Sequence, residues 1–140
     1  MKLTAALVTI IVLVHHGIAY HHGNQHIILA IEMAAWQTAF INGVILILPL
    51  LGAILLWTAW QRVGAIAVVL GMVGALFFGI VHHYMLTSPD HITHLPTAEA
   101  HVHAAFIWSA GAIAMLEGLA AVAAAFLLGV RKPQESPTVG

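Results

Sequence analysis

The fold is decided by a histidine-rich stretch that separates two long apolar runs. Residues 82–94 read HHYMLTSPDHITH, and two more histidines follow at positions 101 and 103. Proline and aspartate end helices and favour turns, so this stretch predicts a loop between two helices. The remaining five of the eleven histidines form an earlier patch: His15, His16, His21, His22 and His26. Whether the fold brings the two patches together is the central question.

The composition is that of an integral membrane protein. Of the 140 residues, 61% are hydrophobic and 6% are charged, whereas an ordinary soluble domain has about 25% charged residues. A formal net charge of −1 argues against nucleic acid as a partner. The chain contains no cysteine, which excludes disulfides, thiolate metal sites and iron–sulfur clusters.

Four apolar runs predict an all-α protein with four transmembrane helices. The expected spans are about 3–20, 27–60, 64–86 and 97–130, with a turn at 21–26 between the first two. Together they would form a single domain of residues 1–130, an up-and-down bundle, followed by a disordered cytoplasmic tail at 131–140. The first run also resembles a signal peptide. We interpret it as a retained helix, because two histidines directly after the apolar region are unusual for a signal.

The basic residues predict the orientation. They are Lys2, Arg62, Arg131 and Lys132, at the N-terminus, the second loop and the C-terminus. The positive-inside rule makes that side cytoplasmic, so both termini are expected in the cytoplasm. The histidine-rich face is then extracytoplasmic in a multi-pass protein of the cell (plasma) membrane. The lipid bilayer is the expected partner. Other membrane subunits are candidate partners too, because short loops leave little room for a separate substrate pocket.

The second and fourth runs are longer than a bilayer requires. Each exceeds thirty residues, about 50 Å as a helix, against a hydrocarbon core of about 30 Å. If Trp36 and Trp108 lie at the outer headgroups, residues 27–36 and 97–108 extend beyond the outer face as helix. Glu32 would then join the histidines. The alternative is a strong tilt that buries Glu32 in the bundle.

Histidines with carboxylates and no thiols are typical of sites for zinc, copper or non-haem iron. His22 and His26 share a face if that segment is helical. His82, rather than His83, is expected to face inward, because it continues a stripe of small residues. A lone histidine at a membrane boundary is often merely solvated, and that reading applies individually to His21, His83, His94 and His101. The candidate metal ligands are His15, His16, His22, His26, Glu32, His82, Asp90, His91, His94 and His103.

Glu117 needs a separate explanation because it lies inside an apolar run. An ionisable group there costs roughly 2.5–3.5 kcal/mol and indicates function by default. It is a candidate proton-relay residue or quinone contact, with Asn42 or Thr58 as possible partners across the bundle. The alternative is a protonated, hydrogen-bonded structural residue.

Three functions fit these observations. The first is a non-haem metal site (copper, zinc or iron) at the outer face, used in redox chemistry or metal handling, in a small subunit of a larger complex. The second is an electron-transfer subunit with haem b held by His82 and His103. The third is a pH-responsive structural or assembly subunit, since histidine gains charge between pH 5 and 8. No catalytic motif decides whether the chain is an enzyme; if it is one, a metal-dependent membrane oxidoreductase or a subunit of one is expected.

Overall fold

Residues 2–129 of the computed structural model are described, and they form four long helices joined by short loops. Helix α1 is Lys2–Ile28, α2 is Ala35–Leu55, α3 is Gln61–Met85 and α4 is Ala100–Gly129. Each is long and apolar enough to cross a membrane, and the described part of the chain contains no strand. The prediction of an all-helical protein with four candidate spans is confirmed. The predicted tail at 131–140, with Arg131 and Lys132, lies outside the described residues.

The helices alternate in direction, as their shared core demonstrates. One hydrophobic cluster joins the start of α1, the end of α2, the start of α3 and the end of α4. Its members are mostly small: Ala5, Val8, Val12, Ala53, Leu56, Ala65, Val68, Met72, Ala120, Ala121, Ala124 and Leu127. Without a hydrophobic force between helices in lipid, such residues allow the close packing that holds a bundle together. Lys2 and Arg62 lie at this end, and the histidine patches lie at the other.

Two glycines set the distance between α2 and α3. A Cβ added to Gly64 would lie 2.6 Å from the carbonyl oxygen of Gly52, and one added to Gly52 would lie 2.8 Å from that of Gly64. The two backbones therefore touch at this point. Helix α4 packs against both α1 and α3, which closes the bundle on the opposite side.

Helix α1 continues through the segment for which we predicted a turn. Residues 21–26 are helical, and the helix ends only after Ile28. Ala30 has a φ of 51°, the Ile31 N–H donates to the His26 carbonyl at 2.9 Å, and the Ala30 N–H donates to that of Ile27 at 3.1 Å. This is a left-handed helix cap built without glycine. The end of the helix therefore lies about one turn beyond the last histidine of the first patch, His26.

Residues 29–34 form the first connection, which corrects the predicted helical extension at 27–36. Helix α2 begins at Ala35, so Glu32 lies in this connection and is exposed. Within α2, Ile41–Ile47 is π-helical.

A second wide turn ends α3. Val81–Met85 is π-helical, and the Leu86 N–H donates to the Val81 carbonyl at 2.9 Å. Such a turn adds a residue to the helix and shifts the positions that follow around its axis. The loop that follows continues to Ala100, where α4 begins, so the predicted helical extension at 97–108 starts three residues later than expected.

Candidate metal centre

Three buried histidines from two helices converge at the end of the bundle opposite Lys2. His22 and His26 lie one turn apart on α1, and His83 lies on the wide turn of α3. The Nε2 of His22 is 3.2 Å from the Nε2 of His83 and 3.2 Å from the Nε2 of His26. One nitrogen from each ring lies within 4.8 Å of the others. We call these three residues the histidine triad.

The spacing fits the coordination shell of a transition metal. Zinc–imidazole bonds of about 2.0–2.1 Å in a tetrahedral shell imply nitrogens about 3.3 Å apart. Two of the three triad separations have nearly that value. The triad could therefore bind a metal ion with small ring rotations.

Ser109 determines which ring nitrogen of His22 carries the proton. Its hydroxyl donates to the Ala105 carbonyl at 2.6 Å, so its oxygen accepts the hydrogen bond from Nδ1 of His22 at 2.9 Å. Nδ1 then carries the proton and Nε2 presents a lone pair towards the other two rings. Metal-bound histidines usually have their second nitrogen held in this way.

His83 is held by the loop that follows α3. Its Nδ1 donates to the backbone carbonyl of Asp90 at 3.1 Å, and its own carbonyl accepts from the Ile92 N–H at 3.0 Å. Nε2 is again the nitrogen left for the triad. Loop and triad are therefore one structural unit.

The carboxylate of Asp90 lies beside the triad. Its Oδ1 lies 3.1 Å from Nδ1 of His83 and 3.5 Å from Nε2 of His26. Because the Nδ1–H of His83 is aligned with the backbone carbonyl, Oδ1 is buried without a hydrogen-bond partner. This oxygen is outside the group of three nitrogens that lie within 4.8 Å of one another, so it would become a fourth ligand only if the side chain turned from Nδ1 of His83 towards the triad.

The charge on Asp90 is favoured by its neighbours. Burial raises the pKa of the Asp90 carboxyl, but the adjacent ring of His83 and the nearby rings of His26 and His22 outweigh that effect, so the pKa lies below its usual value. Asp90 therefore supplies an anionic oxygen at neutral pH.

Phe106 forms the floor of the site. Its ring is fully buried and its centroid lies 4.5 Å from His22, 5.2 Å from His26 and 5.4 Å from His83. It packs with Leu29, Ile31 and Val102 in a second hydrophobic cluster. This apolar support restricts the rings to few orientations, which favours a preorganised site.

His82 and His83 both face other helices, so the expectation that only His82 does is incomplete. His82 is buried against α2: its Nδ1 lies 3.4 Å from the Gln37 amide, and its ring also packs on Phe78, with centroids 4.2 Å apart. His83 is equally buried, but it faces α1 and is the one that joins the triad.

His15 and Glu117, two residues expected in different roles, are partners. Nε2 of His15 lies 3.1 Å from Oε1 of Glu117, and both side chains are buried. The pair lies between α1 and α4, so His15 rather than Asn42 or Thr58 is the partner of Glu117. His15 was predicted to be a metal ligand because its helix was thought to end near it; the longer helix places it deeper than the triad.

His16 is also engaged elsewhere. Its Nδ1 lies 2.8 Å from the Val12 carbonyl and its Nε2 lies 2.9 Å from the Leu46 carbonyl. Both nitrogens face acceptors, so this ring has no lone pair directed at the triad.

The other predicted ligands lie apart from the triad. His91 and His94 form a pair of their own, with Nδ1 atoms 3.2 Å apart beside Thr93. His103 contacts the Pro96 carbonyl at 2.8 Å. His82 and His103 are the predicted axial ligands of haem. Within residues 2–129 they contact different groups, the Gln37 amide and the Pro96 carbonyl respectively.

A cavity adjoins the triad. It has a volume of about 440 Å³ and is lined by all four helices, including the triad, Asp90 and Glu117. Cavities of roughly 300–1,000 Å³ are typical of small-molecule sites. Sequence reasoning did not find this cavity, because no local pattern shows where four helices leave space.

No protein-family model, curated protein or solved structure matches this chain.

Proposed function

We propose that this membrane protein binds one divalent transition metal, zinc, copper or iron, through Nε2 of His22, His26 and His83, with Oδ1 of Asp90 as the fourth donor. The observation that carries the proposal is the convergence of three buried imidazole nitrogens, two with separations of 3.2 Å from the third. Without an ion, Nε2 of His22 can accept a hydrogen bond from a protonated Nε2 of either neighbouring ring. A bound ion would instead be coordinated by all three nitrogens at once.

The chemistry of the proposed donor atoms limits which metal ions the site can bind. Three imidazoles and one carboxylate are borderline ligands, suited to Zn²⁺, Cu²⁺ or non-haem iron rather than to Cu⁺ or Ca²⁺. The metal supplies a Lewis-acid or redox centre when bound. The triad orients it, Ser109 and the Asp90 backbone hold the rings, and Phe106 keeps the floor dry. The role that fits is redox chemistry or metal handling, with the site near the extracytoplasmic face.

A non-haem metal is favoured over haem. The two histidines that would ligate haem have separate partners, Gln37 for His82 and the Pro96 carbonyl for His103. The triad, in contrast, has rings too close together to admit a porphyrin between them.

The test compares two adjacent histidines. Detergent-purified protein is stripped with chelator, reloaded, dialysed and measured by elemental analysis, and its zinc affinity is measured by competition with a chromophoric chelator. The variants are His83→Gln and His82→Gln. We expect one equivalent of metal in the wild type and in His82→Gln, and an affinity lowered by more than about 100-fold in His83→Gln, since the loss of an outer partner alone costs about 10–100-fold.

Three outcomes would overturn the proposal. The proposal is wrong if elemental analysis finds no stoichiometric metal in the reloaded wild-type protein. Equal affinity in His83→Gln and wild type would move the site elsewhere. A Soret band in the optical spectrum of the same sample, lost in His82→Gln, would establish haem instead.

A further inference from the structure

The cavity beside the triad has mostly apolar walls. All four helices contribute to its lining, and Ile45 on α2 and Ala110, Ile113 and Ala114 on α4 are among the apolar residues. Ala110 and Ala114 are one turn apart on α4, where larger side chains would fill the space. The cavity reaches from the triad to Glu117.

Glu117 lines this cavity and has one oxygen without a partner. The side chain is 2% exposed. Its Oε1 contacts His15, while its Oε2 is buried without a hydrogen-bond partner. An unpaired polar atom in such surroundings is costly. A natural partner is a group that enters the cavity.

Water alone would leave most of the lining without a favourable contact. Polar side chains such as His16, Tyr84 and Asp90 belong to the lining and could hold water, but most of the exposed wall is apolar, with Ile45, Ile113 and Ala114 among its residues. A molecule with an apolar body and one polar group matches both the walls and Oε2.

We propose that the cavity binds an apolar, membrane-soluble molecule that carries a hydroxyl group, of the class of long-chain alcohols or quinols. Its hydroxyl donates to Oε2 of Glu117, and its apolar body lies against Ile45, Ile113 and Ala114. The role of this molecule as a substrate of the metal centre rests on the proposed function; its binding does not.

The experiment uses a photoreactive probe. The full chain in phosphatidylcholine nanodiscs is irradiated with dodecanol that carries a diazirine on its chain, and the labelled residues are mapped by mass spectrometry. We expect saturable labelling at residues 41–46 and 110–117. Excess dodecanol or a decyl hydroquinone should compete, and dodecane should compete about tenfold less well, because it lacks the hydroxyl that bonds to Oε2.

Two neighbouring residues give the matched variants. Ala114→Phe fills the cavity, and Met115→Phe places the same ring on the side of α4 that is 70% exposed. Labelling should fall about tenfold or more in Ala114→Phe, since a blocked site loses most of its affinity, and should be unchanged in Met115→Phe. If Ala114→Phe does not fold, Glu117→Gln serves instead, with the preference for dodecanol over dodecane as its readout.

The outcomes separate this proposal from the metal site. Labelling that survives in metal-free His83→Gln supports the cavity whatever the metal analysis gives. Labelling on exposed positions such as Leu119 and Val122, or equal labelling in Ala114→Phe and Met115→Phe, would overturn it. Whichever of dodecanol and the hydroquinone competes more strongly identifies the class of ligand, a long-chain alcohol or a quinol.

Discussion

At Ser109, one hydroxyl decides which nitrogen of His22 is available. Because Ser109 donates its own proton to the Ala105 carbonyl, it can only accept from His22 Nδ1. The choice of Nε2 as ligand therefore depends on a residue that would not touch the metal. Removing it should change metal affinity without changing the ligand set.

Ser109→Ala should lower zinc affinity by about 10–100-fold, as loss of an outer hydrogen-bond partner does at other metal sites. Chelator competition on purified protein measures this. Thr38→Ala is the control, because Thr38 carries an exposed hydroxyl that contacts its own helix, and its affinity should equal that of the wild type. An unchanged affinity in Ser109→Ala would mean that His22 is held by other contacts.

The residue pattern predicted part of this site. His22 and His26 lie on one face because α1 is helical there, whereas the sequence predicted a turn at 21–26 and a shared face only if that segment was helical. Asp90 was a candidate from its place beside the histidines. His83 was not among the predicted ligands, because the stripe of small residues on α3 favoured His82, and both side chains are in fact buried. Ser109 and Phe106 gave no signal, since their importance arises only from contacts across the bundle.

Among the elements, α2 and α3 approach each other closely. Gly52 and Gly64 bring two backbones together where any side chain would collide. Small residues at such crossings let helices pack closely in membranes. Packing of this kind should be sensitive to a single methyl group.

Gly64→Ala should lower the free energy of unfolding by at least about 1–3 kcal/mol, the usual cost of overpacking. Gly118→Ala is the matched control, because a Cβ there meets nothing within 4 Å. A mid-helix glycine replaced by alanine gains about 0.5–1 kcal/mol. Unfolding in mixed micelles with increasing dodecyl sulfate, followed by circular dichroism, measures both. Equal stability of the two variants would contradict the close contact.

The helices were predictable from composition, whereas their ends were not. Four apolar runs of sufficient length indicate four helices. Helix α1 nevertheless extends to Ile28, and its C-terminal cap is formed by Ala30 in the left-handed region. Glycine is the usual residue at such a position, so an alanine there gives no sign in the sequence that the helix ends. The apolar pattern likewise gives no indication of the π-helical segments at Ile41–Ile47 and Val81–Met85.

For the whole molecule, the separation of Lys2 and Arg62 from the triad predicts that the two ends of the bundle face opposite sides of the membrane. The two basic residues lie at one end of the bundle, and the triad lies at the other. Exposed Leu, Ile, Val and Phe cover the sides between them, as a lipid-facing surface requires. From these two residues the positive-inside rule predicts that the triad lies outside the cytoplasm.

Single cysteines test this orientation, since the chain has none of its own. In intact cells, a membrane-impermeant maleimide should label Thr97→Cys in the loop before α4. Ala59→Cys, in the loop before α3, should react only after permeabilisation. Both positions are exposed, so reactivity reports the side of the membrane. The reverse pattern would place the triad in the cytoplasm.

The hydrogen bonds from the 86–99 loop to His83 carry one further consequence. The loop closes onto His83 through Asp90 and Ile92, so a bound ion and a closed loop stabilise the same arrangement. Thermodynamic linkage makes that relation reciprocal. By whatever factor the ion suppresses loop opening, clamping the loop must raise the affinity for the ion. A partner that seats on the loop would thereby act as a regulator of metal retention, without touching a single ligand.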